Sequence, residues 1–255
     1  MLKYSLCIGA YPGEDVITHL EKVKDHGFHG LEYYDWTELN LEQVAKAQSR
    51  IGVGITATCT RFFNLVNPKL QDSYLQGLSE TIEACKKLGT PSIITQTGNV
   101  MVDTPISLQQ EAMIETLKRS AELCEKADVV LEVEPLNGLV DHKGHFLQYS
   151  DQAVSIVDQV DSPHVKLLFD VYHQQITEGN VTRNATNFCN RINHYHIADN
   201  PGRHEPGTGE LNFGNILKAI KKTGFEGLIG LECNYTIPTD QAIDSFKKTI
   251  IQYVE

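Results

Sequence analysis

Along the chain, short runs in which apolar residues dominate or alternate with polar ones give way to longer stretches with helical spacing. This switch repeats from one end to the other. Eight runs read as strands: YSLCIGA, GLEYYD, GITATCT, SIITQT, VVLEVE, VKLLFD, HYHIAD and GLIGLEC. Between them lie helical stretches such as DVITHLEKVKDHG, LEQVAKAQSRIG, YLQGLSETIEACKKLG, LQQEAMIETLKRSAELCEKA, DQAVSIVDQV and FGNILKAIKKTGF. Several close on Gly after Lys, His or Arg, as helix C-termini do. No Pro/Ser-rich linker interrupts the series, so residues 1–255 are expected to form a single domain. Eight strand-then-helix units predict an α/β fold, a single (β/α)8 TIM barrel. An open doubly wound sheet would more often carry a Gly-rich phosphate turn after the first strand, and GAYPGE does not match GxGxxG.

In such a barrel the active site lies at the C-terminal ends of the strands, so the polar residue closing each run carries the chemistry. In VVLEVEP, Leu131 and Val133 share one face while Glu132 and Glu134 share the other, and Pro135 ends the strand. Asp170 closes KLLFD in phase with Leu168, with His173 expected in the loop that follows. In HYHIAD, outward Tyr195 and Ile197 send His194 and His196 inward, and in LIGLEC Glu232 shares a face with Gly230. Glu134, Asp170, His196 and Glu232 are spaced by 36, 26 and 36 residues, each gap about one βα unit. Three carboxylates and an imidazole converging on one barrel mouth would repel and resist desolvation unless a cation sat between them. One divalent metal ion is therefore expected. The mostly hard oxygen set favours Mg²⁺ or Mn²⁺, with Co²⁺, Ni²⁺ and Zn²⁺ also compatible. His194 reads as a hydrogen-bonded core residue, one layer deeper than His196.

About a dozen residues separate Ala198 from the next helix, longer than a usual βα connection. Arg203 in this loop offers a planar donor fork for a carboxylate or hydroxyls. Gly207 and Gly209 serve the turn, Glu210 is expected as an acid at the helix N-terminus, and His204 and Glu205 have no assigned role. At other strand ends, Arg61, Phe62, Glu32, Tyr34 and Trp36 either shape the pocket or pack its rim.

Charge narrows the partners. The formal net charge is −11 and no basic run stands out, which disfavours nucleic acid. The six cysteines lack CxxC spacing and read as reduced core thiols. The N-terminal apolar stretch is too short for a signal peptide, and no segment approaches about 18 apolar residues. The expectation is a cytoplasmic enzyme without a membrane partner.

EPLN at 134–137, FDVYHQQI at 169–176, HYHIADNPGRHEPGTGELNF at 194–213 and GLIGLEC at 227–233 resemble the hydroxypyruvate isomerase family. That family sits among the xylose-isomerase-like barrels, alongside ketose 3-epimerases and the more distant endonuclease IV. The likeness is strong over roughly residues 130–235 and lies mainly in strand rhythm before them. It implies that Glu134, Asp170, His196 and Glu232 ligate one metal, that Glu134 and Glu232 also move protons, and that His173 and Arg203 bind substrate oxygens. The implied function is metal-dependent isomerisation of a small hydroxy-keto acid or sugar acid, of hydroxypyruvate or 2-oxo-tetronate type, through a cis-enediolate. The partner would be a small-molecule sugar or sugar acid, with assembly into a homo-oligomer left open. One departure, His196 where the isomerases often carry Gln, points to the alternative, a ketose 3-epimerase or other sugar isomerase. A second, Cys233-Asn234-Tyr235 in place of a common Tyr-Lys-Pro run, removes a lysine that would bear on recognition of a small carboxylate.

Overall fold

The computed structural model describes residues 2–61 and 64–255; Phe62 lies outside the described residues. Among the described residues eight parallel strands close into a barrel in sequence order. They are β1 (Lys3–Cys7), β2 (Gly30–Glu32), β3 (Gly54–Cys59), β4 (Ser92–Thr95), β5 (Val130–Val133), β6 (Val165–Asp170), β7 (Ile192–Ile197) and β8 (Leu228–Leu231). The surrounding helices are α1 (Val16–Asp25), α2 (Leu41–Ile51), α3 (Gln71–Leu88), α4 (Ile106–Ala127), α5 (Ser150–Val160), α6 (Val171–Thr177), α7 (Val181–Asn187), α8 (Phe213–Lys222) and α9 (Thr239–Phe246). The expected (β/α)8 architecture is therefore present. No helix among the described residues is long and apolar enough to cross a membrane.

Local chemistry explains the element ends. Asp15 caps α1 by accepting from the Ile17 and Thr18 amides, and Asn40 caps α2 by accepting from Gln43. Gly52 and Gly89 take left-handed conformations (φ 80° and 68°) that close α2 and α3. The GLEYYD run yields only three strand residues. The β2–β3 register shifts between Leu31 and Glu32, and the chain then enters a short 3-10 turn at Trp36–Glu38.

Side chains alternate along the strands as pleating requires. Leu131, Val133, Phe169, Tyr195 and Ile229 join the apolar layer between barrel and helices, each fully buried. Burying a side chain of this size contributes about 1.5–3 kcal/mol, so this layer carries most of the stabilisation. The barrel interior is different. A small apolar cluster of Ala57, Ile94 and Leu168 shares it with the buried polar side chains of Ser5, Glu32, Glu132 and His194. The β6–β7 register shifts between Leu167 and Leu168, which pair with Ile192 and His194 and leave Asn193 as the extra residue. A bulge there lets consecutive residues face the same way, and both Asn193 and His194 hydrogen-bond Glu132 inside the barrel.

The long connection after β7 is built around one buried carboxylate. Asp199 accepts from the amides of Asn200 (3.0 Å), Gly207 (2.8 Å) and Leu211 (3.1 Å). Gly209 must be glycine, because a Cβ there would lie 2.3 Å from the Asn200 carbonyl and 2.5 Å from Asp199. Glu205 fastens the loop to the next one by accepting from the Thr236 amide and hydroxyl, and His204 Nδ1 donates to the Asn234 carbonyl. Both thus shape the loop. Glu210 does not cap α8: it accepts from Asn200 and Gln175, and Asn212 caps the helix instead.

Asp199→Ala removes three hydrogen bonds to otherwise unpaired amides. At about 1 kcal/mol for each, the expected loss of stability in urea denaturation is about 2–4 kcal/mol.

Candidate active site

Glu134 follows β5, Asp170 ends β6, His196 lies near the end of β7 and Glu232 follows β8. The fold brings these four sequence-predicted residues together: one donor atom from each lies within 4.8 Å of all the others. Glu134, Asp170 and His196 are buried, and Glu232 retains partial access. Asp170 is held by its own helix, because Oδ1 accepts from the Tyr172 and His173 amides at the N-terminus of α6. His173 accordingly sits on the first turn of that helix, not in a loop. The His196 Nδ1 and Glu232 Oε2 atoms are 2.9 Å apart, yet Nδ1 has no hydrogen-bond partner. A buried ring nitrogen crowded against a carboxylate oxygen without hydrogen-bond geometry suits a shared cation. The donor set, three carboxylates and one imidazole, fits a divalent metal.

Electrostatics support the same fit. Burial, then Glu232, push the Glu134 carboxyl up to about 8. Burial alone would raise Glu232 as well, but the His196 imidazole and Arg203 guanidinium outweigh it and hold that carboxyl down to about 2. Without a further cation, the cluster therefore retains a proton on one of its carboxylates. Arg203 supplies part of the compensation, with Nη2 2.6 Å from Glu232 and 3.3 Å from Asp170. Its backbone is left-handed (φ 57°), a conformation a non-glycine residue adopts at some cost, and its guanidinium lies 5.4 Å from the Tyr172 ring centre.

A cavity of about 130 Å³ opens over these groups, lined in part by Tyr34, Gln96, His142, His173 and Arg203. Asn137 fixes the role of His173. Its amide oxygen accepts from the Val140 and Asp141 amides, so its NH₂ donates to Asp141 and to His173 Nδ1 (2.6 Å). With Nδ1 accepting, the ring proton sits on Nε2, which is buried 3.5 Å from Asp170 Oδ2 but makes no hydrogen bond. His173 thus presents a donor suited to a substrate oxygen. Arg61 pairs with Glu80 on α3, Trp36 donates to Thr81 on the same helix, and neither lines the cavity.

Glu32 is neither pocket wall nor rim. It is fully buried beneath His196, with Oε1 accepting from Ser5 (2.6 Å) and His194 (3.0 Å) and Oε2 from His196 Nε2 (2.8 Å). Burial alone would lower the His194 imidazole, but Glu32 and Glu132 on either side of it prevail and lift it to about 9. Cys7, Glu32 and His196 form a second group with metal-ligand spacing. There the Glu32 oxygens are already hydrogen-bonded, and burial keeps the Cys7 thiol protonated. Asn137, Glu32 and the Asp199 staple had no periodic signal in the sequence; each became visible only through its partners.

Two outcomes follow. A Cβ on Gly230 would lie 2.2 Å from Glu32 Oε1 and 2.8 Å from His196 Cδ2, so Gly230→Ala is expected to cost about 1–3 kcal/mol in thermal or urea denaturation. Gly9→Ala, with nothing within 4 Å of its Cβ, serves as the tolerated control. Burial, with His142 and His173 nearby, lowers His145 to about 4. The unfolded chain then binds the extra proton first, so stability from neutral His145 is full above about 6.5 and is lost as pH falls through about 4. Histidine NMR titration should show His145 neutral at pH 5; a midpoint near 6.5 would contradict this.

The xylose isomerase-like TIM barrel model matches residues 20–249. Hydroxypyruvate isomerase of Escherichia coli (strain K12) is 30% identical over 246 residues, covering 91% of this chain and 93% of that protein. The 3-dehydro-D-guloside 4-epimerase of the same organism is 26% identical, covering 88% of each. A crystal structure described as the IOLI protein with a binding zinc atom superposes with a TM-score of 0.83 at 19% identity, covering 99% of this chain and 98% of that one, and so shares its fold. The chain belongs to the xylose isomerase-like TIM barrel family and, within it, to the hydroxypyruvate isomerase-like enzymes.

Proposed function

We propose that this enzyme is a metal-dependent isomerase of a small hydroxy-keto acid, of hydroxypyruvate or 2-oxo-tetronate type, working by proton transfer through a cis-enediolate. The observation that carries the reading is the convergence of Glu134, Asp170, His196 and Glu232 around an unpartnered His196 nitrogen, beneath a cavity of about 130 Å³. These four residues would hold one divalent cation, with Mg²⁺ or Mn²⁺ favoured by the hard oxygen donors. When bound, such an ion supplies Lewis-acid stabilisation of negative charge on neighbouring substrate oxygens.

The chain's own residues do the rest. His173 donates from Nε2 to a substrate oxygen, and the Arg203 guanidinium, already facing the carboxylates, pairs with the substrate's acid group or hydroxyls. One of Glu134 and Glu232 removes the proton from C3 of the keto acid and returns it to C2. The other carries a proton between the two oxygens, leaving a hydroxyl at C2 and a carbonyl at C3, an aldehyde from hydroxypyruvate and a ketone from a 2-oxo-tetronate. Atoms balance without any redox partner.

A specific observation favours a second reading. The resemblance extends to a 4-epimerase over most of both chains, and His196 replaces the Gln frequent in the isomerases. Two carboxylates flanking one substrate carbon would then remove a proton from one face and supply it to the other.

Incubating Mn²⁺-loaded protein with hydroxypyruvate in D₂O should give the aldehyde isomer with deuterium at carbon. Chelation should abolish this, and Glu134→Gln or Glu232→Gln should slow it by about 10²–10⁴-fold. Deuterium exchange with inversion of a ketose or keto-sugar carbon, and no isomerisation of keto acids, would instead establish the epimerase reading.

A further inference from the structure

We infer that Glu32, buried in the barrel beneath the site, is the positioning residue that fixes the ring orientation and tautomer of His196 so that Nδ1 faces the cation site. The inference rests on the metal-dependent reading above. His196 Nε2 is 2.8 Å from Glu32 Oε2, and a carboxylate oxygen only accepts. Nε2 therefore carries a hydrogen, and the ring nitrogen left to offer a lone pair to a cation is Nδ1. Nδ1 is the atom that stands beside Glu232 without a hydrogen-bond partner.

Glu32 can do this only because it is itself immobilised. Ser5 donates to Oε1 at 2.6 Å, and His194 Nε2 approaches the same oxygen at 3.0 Å. His194 is in turn held at Nδ1 by Glu132 Oε2 (3.1 Å), whose other oxygen accepts from Asn193 at 2.6 Å. A continuous hydrogen-bonded column thus runs up the barrel from Asn193 through Glu132, His194 and Glu32 to His196. Gly230 leaves the space for it, since a Cβ there would collide with both Glu32 and His196. A carboxylate behind a metal-ligating histidine sets its orientation and raises its basicity, and losing such a partner typically weakens metal binding about 10–100-fold.

The test uses the full-length chain and readouts other than turnover. In a histidine-labelled sample loaded with diamagnetic Mg²⁺, long-range proton–nitrogen correlation, assigned with a His196→Gln variant, should show His196 of the unmutated protein as the Nε2–H tautomer. An Nδ1–H tautomer overturns the inference whether or not any variant folds. Mn²⁺ affinity, read from the paramagnetic resonance of the free ion, should fall about 10–100-fold in Glu32→Gln, with the tautomer signature altered. If Glu134→Gln weakens Mn²⁺ binding while Glu32→Gln leaves both affinity and tautomer unchanged, this inference falls and the metal site stands. If the unmutated protein binds no Mn²⁺, both fall.

Discussion

Five carboxylates, Glu32, Glu132, Glu134, Asp170 and Glu232, crowd the interior and mouth of one barrel, and four of them are fully or almost fully buried. Charge removed from water must be paired or neutralised, because an isolated buried carboxylate costs far more than a fold of this size can spare. The arrangement of this protein's centre follows from that constraint. Lower down, His194 lies between Glu32 and Glu132, and Ser5 and Asn193 satisfy remaining oxygens. Higher up, Arg203 reaches Asp170 and Glu232. What remains is an excess of negative charge around one unpartnered imidazole nitrogen, and the chemistry of the site begins there.

Rigidity follows from the same pairing. His196 is held from behind by Glu32, Asp170 by the amides of α6, and His173 by Asn137. Each acts on the cavity through an atom whose opposite side is already committed. The loop after β7 extends this logic into backbone. Asp199 fixes its path, Glu205 ties it to the next loop, and Arg203 takes a left-handed conformation at its centre. A strained cationic residue in an otherwise well-fastened loop is a common feature of sites in which position matters more than local stability.

In the reaction proposed above, what matters is where Glu134 and Glu232 stand relative to a substrate carbon. Glu134 and Glu232 face a shared environment but differ in their partners. Glu232 has Arg203 and His196 beside it, whereas burial and neighbouring negative charge dominate around Glu134. Environment thus separates two chemically identical side chains, one held ionised by its neighbours and the other pushed towards its protonated form.

The sequence by itself determined the eight-fold alternation, the inward phase of His196 and Asp170, and the polar residues closing strands five to eight. These depend on local periodicity, which a strand's two-residue repeat writes directly into the chain. Tertiary structure decided the rest. Glu32 reads in sequence as one more residue near a strand end, and only barrel closure, which brings β2 across to β7, sets it under His196. The bulge at Asn193, the helical place of His173 and the release of Glu210 from helix capping likewise depend on partners distant in sequence. Periodicity records which way a side chain points; which group it meets there is decided by closure of the barrel.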